Sequence, residues 1–157
     1  MKSSITLTRP AEAEALWVLR DRIKFLGRVP DRDLELVEVE VPPGSGTPPH
    51  RHESPEVFRI LSGEVTFGLP EANPPGEVAA TAGSVVTVPS RVAHYYRNAG
   101  AGPAVMLVLL DGTMTAFFRD LGRGQEPAPG PPSAAEISAV MAACARHRID
   151  ILPPSPS

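Results

Sequence analysis

The sequence predicts an all-β domain, a small sandwich or barrel, with one C-terminal α-helix. Three observations lead there. Nineteen prolines and thirteen glycines cluster at 42–49, 70–76, 100–103 and 127–132, so they punctuate short segments and do not form one disordered block. Between these clusters lie short runs rich in Val, Ile, Leu, Phe and Thr, the pattern of an all-β fold. A helical apolar period stands out near the end of the chain, at Ile137, Val140, Met141 and Cys144.

In chain order, residues 16–19 and 22–26 read as two short strands around Arg20-Asp21, after an Ala/Glu-rich lead-in at 11–15 that could instead be helical. Residues 34–41, L-E-L-V-E-V-E-V, alternate apolar and acidic side chains. They predict a half-buried strand with Leu34, Leu36, Val37 or Val39 and Val41 packed, and Glu35, Glu38 and Glu40 in solvent. Further strands are expected at 57–61, 64–69, 77–80, 85–88 and 104–110, the last fully apolar and of the buried type. Residues 122–132, G-R-G-Q-E-P-A-P-G-P-P, read as a linker. Ser133-Ala134-Ala135-Glu136 is a capping-box pattern that opens the helix. Cys144 then reads as a small packed hydrophobe, His147 as a last-turn residue favoured by the helix dipole or solvent, and the P-P-S-P-S tail as frayed.

The stretch G-S-G-T-P-P-H-R-H-E-S-P-E-V-F-R-I-L-S-G-E, 44–64, carries the chemistry. Its prolines exclude a helix, where each interior one would cost ~3 kcal/mol. On a strand the side-chain period is two, so His50 and His52 face the same way with Cα atoms about 6.6 Å apart. A straight strand would carry Glu56 about 13 Å beyond His52, too far for one coordination sphere. The chain must therefore turn at Glu53-Ser54-Pro55, and Glu56 then starts a returning strand that faces the histidines. Two histidines and a glutamate fall one ligand short of four. The natural fourth donor is His94, in G-S-V-V-T-V-P-S-R-V-A-H-Y-Y-R-N, 83–98.

Composition excludes several classes. At 157 residues the chain is long enough for one domain with a core of its own, and 42% apolar with 21% charged residues is ordinary for a globular protein. A net charge of −3 with scattered arginines gives no footprint for nucleic acid. One cysteine allows no internal disulfide and fits a reducing compartment. The N-terminal residues lack the apolar core of a signal peptide, and the longest apolar run, 104–110, is far short of the ~20 residues that span a bilayer. No membrane partner and a cytoplasmic location are expected.

Gly44-x5-His50-x-His52-x3-Glu56-x6-Gly63 resembles the first motif of the cupin superfamily, and Gly83-x5-Pro89-x4-His94-x3-Asn98 resembles the second, nine positions at matching spacing. W-V-L-R-D-R near the N-terminus and I-D-I-L-P-P after the helix are also similar to a subgroup labelled quercetin-2,3-dioxygenase-like. The resemblance implies a double-sheet jelly-roll β-barrel over 1–121, a Pro/Gly linker at 122–132, and a helix and tail at 133–157 packed on the same domain. It implies one divalent transition metal per chain, held by His50, His52, Glu56 and His94. Imidazole and carboxylate suit Fe, Mn, Ni, Zn and Cu alike. Four protein ligands on an octahedral ion leave two positions open. The second motif departs at one place, where Arg91 stands for a glycine that permits φ > 0. Arg91 reads as a surface side chain or as one reaching over the pocket mouth.

Counting in twos from the ligands puts Phe58, Ile60, Tyr96 and Asn98 on the lining of a substrate pocket, and Tyr95, Arg59 and Arg97 outside. Met106, Val108, Phe117 and Phe118 are candidates to close it. Tyr96 reads as a core aromatic or as a hydrogen-bonding partner of substrate. Two functions follow from the resemblance. One is a dioxygenase on a small enol or aromatic substrate, with Glu56 as catalytic base; the other is a metal-holding binding or isomerase-type cupin that uses no dioxygen. A homodimer is expected, joined through the edges that the N-terminal strands and 34–41 would offer.

Overall fold

The alternation read in the sequence becomes a run of short strands in the computed structural model, which describes residues 4–153. The frayed tail expected at the C-terminus lies, from 154 onward, outside the described residues. In chain order the strands are β1 (Glu14–Val18), β2 (Asp21–Val29), β3 (Leu34–Val41), β4 (His50–Arg51), β5 (Glu56–Ser62), β6 (Glu64–Leu69), β7 (Gly76–Thr81), β8 (Val85–Val88), β9 (Tyr95–Arg97) and β10 (Ala104–Leu110). Helices α1 (Gly112–Leu121) and α2 (Ala134–Arg146) follow, and β11 (Asp150–Ile151) ends the described fold. The 11–15 lead-in is split between a short 3-10 turn, Pro10–Glu12, and the start of β1.

One sheet has the order β1-β2-β3-β10-β5-β8, all antiparallel. The facing sheet is β7-β6-β9, extended by isolated bridges from β9 to Gly46 and from His94 to His50, and so to β4 and β11. The two sheets close on a core in which Val37, Val108 and Phe58 form one cross-strand row and Val39, Met106 and Ile60 the next. Val65 and Phe67 of β6 meet them from the other sheet, and Phe58 and Phe67 stack edge to face with centroids 5.0 Å apart. Burying each such side chain contributes about 1.5–3 kcal/mol. This is the jelly-roll barrel that the sequence predicts.

The phase of β3 differs from expectation. Val37, Val39 and Val41 all face inward, and the period of two then carries Glu35 inward and Leu36 outward. Glu35 is therefore buried, not solvated, and α1 answers it: Arg119 donates a bidentate pair to its carboxylate at 2.7 and 3.1 Å and lies 4.1 Å over the Phe25 ring. Nor is β3 an edge, because it pairs with β2 and β10; the edges of that sheet are β1 and β8.

Helix α1 went unread in the sequence. Asp111 caps it by accepting the Thr113 N–H at 3.0 Å, and Met114, Thr115 and Phe117 are buried. The Ser133/Glu136 capping box of α2 forms in both directions. Its packed face is Val140, Ala143 and Cys144, whereas Ile137 and Met141 are about half exposed at 51% and 47%. The 122–132 segment runs back over the first hairpin, with Arg123 bridging Trp17 and the Arg20 guanidinium donating to the Gly130 carbonyl and to Glu136. His147 at the end of α2 places Nε2 2.8 Å from Asp120 of α1, so it joins the two helices. Among the described residues no helix is long and apolar enough to cross a membrane.

Removing Arg119, itself exposed, leaves the buried Glu35 carboxylate without its bidentate donor, a loss of about 1–3 kcal/mol. Arg119→Met should lower stability by that order in urea titration, and Glu35→Leu with Arg119→Met should recover most of it. Equal stability of Arg119→Met and wild type would show the pair to be dispensable.

Candidate metal centre

His50, His52, Glu56 and His94 are all buried, and each offers a donor atom within 4.8 Å of the others. Two backbone devices bring them together. His50 and His94 exchange N–H···O bonds at 3.0 and 2.9 Å, so their side chains stand side by side with ring centroids 4.3 Å apart. The turn after His52 then reverses the chain into β5, and Ser54, buried in that turn, accepts the Asp111 N–H at the start of α1. Gly46 allows the approach of the first motif to β9, because a Cβ there would sit 2.3 Å from the Tyr96 carbonyl. Arg91 occupies its turn at φ 67°, the left-handed region that favours glycine, and its N–H donates to the His52 carbonyl at 2.8 Å. Its side chain pairs with Asp150 at 3.0 Å on the surface, not with the cavity.

The protonation pattern favours a cation. Nδ1 of His50 lies 2.9 Å from the Pro48 carbonyl, and Nδ1 of His94 lies 2.8 Å from the Val92 carbonyl. A carbonyl only accepts, so each Nδ1 carries a proton and, in the neutral ring, Nε2 presents a lone pair. His94 Nε2 then faces Glu56 Oε1 at 3.2 Å, two acceptors across a buried gap. His52 Nε2 lies 2.8 Å from the same oxygen, yet both its ring nitrogens are buried without a hydrogen-bond partner. Such an arrangement is costly unless a positive charge sits between the donors. Three imidazoles and a carboxylate are the ligand set for a divalent transition metal, so the residues fit the ion.

Electrostatics agree. Burial pushes His50 down, with His94 adding to it, to about 4, which keeps the ring neutral and ready to ligate. Burial pushes Glu56 up, but positive charge at the facing His52 and His94 nitrogens, a proton there or the cation that would replace it, outweighs burial and brings it down to about 2. Glu56 is thus ionised at neutral pH.

Three members of the cluster, His50, Glu56 and His94, form part of the wall of a cavity of about 110 Å³, whose other walls come from both sheets, both helices and the β11 segment; His52 is not in the lining. Phe58 and Tyr96 line it, and so do Phe117 and Phe118. Ile60 and Asn98 do not. Ile60 is fully buried in the inter-sheet core, and the Asn98 amide is spent on the Val41 and Gly102 carbonyls and the Gly100 N–H. Met106 and Val108 are likewise core residues. Arg59 and Arg97 are exposed, and Tyr95 donates to Glu77. Sequence reading missed Asp21, Met114 and Leu121 in the lining. The helical period of Met114, Phe117, Phe118 and Leu121 behind an Asp111 cap was the available signal for the last two. Two wider grooves along the 122–132 segment contain none of the four cluster residues.

Protein produced in metal-supplemented medium should carry about one transition-metal ion per chain by elemental analysis. His52→Ala and His94→Ala should each lose the ion while keeping the wild-type circular dichroism spectrum, because the core packs through β3, β5, β6 and β10. Wild type that takes up no metal would reject the centre.

Comparison with known proteins agrees with this geometry. Residues 37–110 match the family described as "Cupin domain". Auxin-binding protein 1 of Arabidopsis thaliana is 36% identical over 84 residues, covering 50% of this chain and 42% of that protein. The chain therefore spans less than half the length of that curated relative. Among solved structures, the polyketide cyclase RemF from Streptomyces resistomycificus aligns at a TM-score of 0.56 and 22% identity, over 69% of this chain and 80% of that one. An RmlC-like cupin from Shewanella frigidimarina aligns at 0.59 and 18%, over 71% and 94%. At such identities these two likenesses concern the fold alone. The two-sheet barrel and the two motifs joined at His50 and His94 thus coincide with the stretch, residues 37–110, that matches the cupin domain family.

Proposed function

We propose that the protein is a metal-dependent dioxygenase acting on a small enol or aromatic substrate. The observation that carries this reading is a buried three-histidine, one-glutamate cluster that presents His50, Glu56 and His94 to a largely apolar cavity. When bound, a divalent transition metal would supply a Lewis-acid position for a substrate oxygen and electrons for dioxygen chemistry. The chain supplies the rest. Phe58, Met114, Phe117 and Phe118 exclude water and pack against a ring. The Pro48 and Val92 carbonyls hold the His50 and His94 rings in one orientation. Glu56, which faces the cavity, takes the enol proton on its carboxylate.

Size narrows the substrate. An engineered cavity of about 150 Å³ accepts benzene. At about 110 Å³, this one supports a one-ring compound better than a three-ring flavonol. A second reading, a metal-holding cupin that binds or isomerises a small molecule without dioxygen, is supported by the match to a protein named for binding auxin. The oxygen electrode separates the two. Aerobic addition of one-ring enols to metal-loaded protein should consume dioxygen under the first reading, and turnover or binding with no uptake would favour the second.

Glu56→Gln tests the base. Glutamine keeps an oxygen for the ion but cannot take the proton, so turnover should fall about 10²–10⁴-fold. It should stay low after metal content is restored to the wild-type level. Full rescue by added metal would reduce Glu56 to a ligand.

A cytoplasmic homodimer is part of the same proposal. The outer face of the larger sheet aligns Leu36, Leu109 and Val57 across three strands, an apolar row where a second copy could seat. Light scattering should return twice the 16.7 kDa chain mass, and a monomer would reject the pairing.

A further inference from the structure

The cavity has a second polar end. Asp21 is the first residue of β2 and is buried there, 6% exposed, although an acid beside Arg20 at a hairpin turn ordinarily points to water. Its carboxylate accepts from Ser45 Oγ at 2.6 Å and from the Tyr96 hydroxyl, and all three residues line the cavity. No arginine or lysine lines the cavity among the described residues. Asp21 is thus a buried acid paired only with neutral donors.

The hydrogen count of this group decides what it can recognise. Ser45 and Tyr96 each have one hydroxyl proton, and both protons go to Asp21. What remains toward the cavity is acceptor capacity: the unused lone pairs of the carboxylate and the two hydroxyl oxygens. Thr47, which accepts the Tyr96 backbone N–H at 3.2 Å and also lines the cavity, keeps its own proton. The complement of such a surface is a group that chiefly donates. At this end a carboxylate or phosphate would meet a negative, acceptor-rich wall with no arginine or lysine, whereas a hydroxyl can donate to Asp21. Burial, opposed by the Ser45 and Tyr96 hydrogen bonds, holds Asp21 up at about 6, so it is largely ionised at pH 8.

We propose that Asp21, framed by Ser45 and Tyr96, is the specificity-determining second anchor of the cavity, selecting an uncharged ring compound that bears a hydroxyl group besides the oxygen directed at the His50/His52/Glu56/His94 centre. The proposal rests on the reading of the cavity as a substrate pocket and deepens it. Asp21 acts on binding and does not enter the oxygen chemistry. The substrate class becomes dihydroxylated single rings, with hydroxybenzoates disfavoured.

The test is binding, without turnover. Zinc-loaded protein at pH 8, under nitrogen, is titrated calorimetrically with phenol, catechol, resorcinol, hydroquinone, their monomethyl ethers and 4-hydroxybenzoate. At least one dihydroxybenzene should bind about tenfold more tightly than phenol and than its own methyl ether, the scale of one hydrogen bond to a buried charged acceptor. Asp21→Asn, nearly isosteric, should reduce that preference to about threefold or less, leaving phenol affinity and zinc content unchanged. A readout independent of any variant comes from the two tyrosines. The Tyr96 ring resonances should shift with the preferred dihydroxybenzene, while those of Tyr95, on the outer face against Glu77, should not.

Binding of phenol and dihydroxybenzenes with equal affinity would overturn the role of Asp21 alone. Equal weakening of every ring by Asp21→Asn would make Asp21 a purely structural brace for the 44–48 loop. Tightest binding by 4-hydroxybenzoate would reverse the predicted charge preference. If no ring binds at all, the cavity is not the pocket, and the functional reading falls together with this inference.

Discussion

The centre depends on one reciprocal backbone pair. The two motifs are far apart in sequence, and the exchange of N–H···O bonds between His50 and His94 makes them neighbours. Directly opposed residues on antiparallel strands point to the same side, so this pair sets both rings facing the barrel interior. His52 follows at the period of two. Glu56 arrives from the other sheet, on β5, where its strand is fixed by pairing with β8 and β10. The ligand set therefore straddles the two sheets. β11 completes the arrangement by pairing with the outer side of β4, so the segment that leaves α2 is stitched to the strand carrying His50.

That geometry is locally expensive. A fold consistent at every level would not bury lone pairs against a carboxylate or leave both nitrogens of His52 without partners. Nor would it set Arg91 at a positive φ in the turn that holds the His52 carbonyl. The surroundings over-determine the conflict: packed Phe58 on one side, the Ser54 tie to α1 on another, and the two Nδ1 bonds to carbonyls. Departures from local preference held by such a frame are typical of functional sites.

The legible part of the sequence was what strict alternation and turn chemistry control. The strand limits at Leu34–Val41 and Ala104–Leu110, the turn before Glu56 and the capping box at Ser133 could be read because each depends on a few adjacent residues. Long-range compensation was not legible. Glu35 looked solvated because its counter-ion, Arg119, lies on a helix that the Thr-rich start and aromatic middle of 112–121 concealed. Ile137 and Met141 outweighed Ala143 on any hydropathy reading of α2, yet the closely packed face uses the small residues. Ile60 and Asn98 were placed in the pocket by counting in twos, a rule that names the inward face but not how far along the barrel the cavity extends. Asp21 was taken for a turn residue because nothing near it in sequence discloses Ser45 and Tyr96.

The charges inside the barrel make one chemical argument together. The arginines with ion-pair partners are spent outside the cavity: Arg119 on Glu35, Arg20 on Glu136, Arg91 on Asp150, Arg97 on Glu77, Arg146 on Asp120, Arg51 on Glu71, Arg28 on Asp33 and Arg9 on Glu12. Inside remain two carboxylates, Glu56 and Asp21, and neutral imidazoles. With a divalent cation among the four ligands the cavity sums to zero formal charge at neutral pH. A neutral substrate then enters at no net electrostatic cost in a medium where an uncompensated charge is penalised by several kcal/mol. Transfer of its proton to Glu56 moves charge within the cavity without changing the total. An anionic substrate would arrive with a charge that nothing inside is placed to offset. Neutral entry and internal proton transfer are therefore two consequences of the same charge balance.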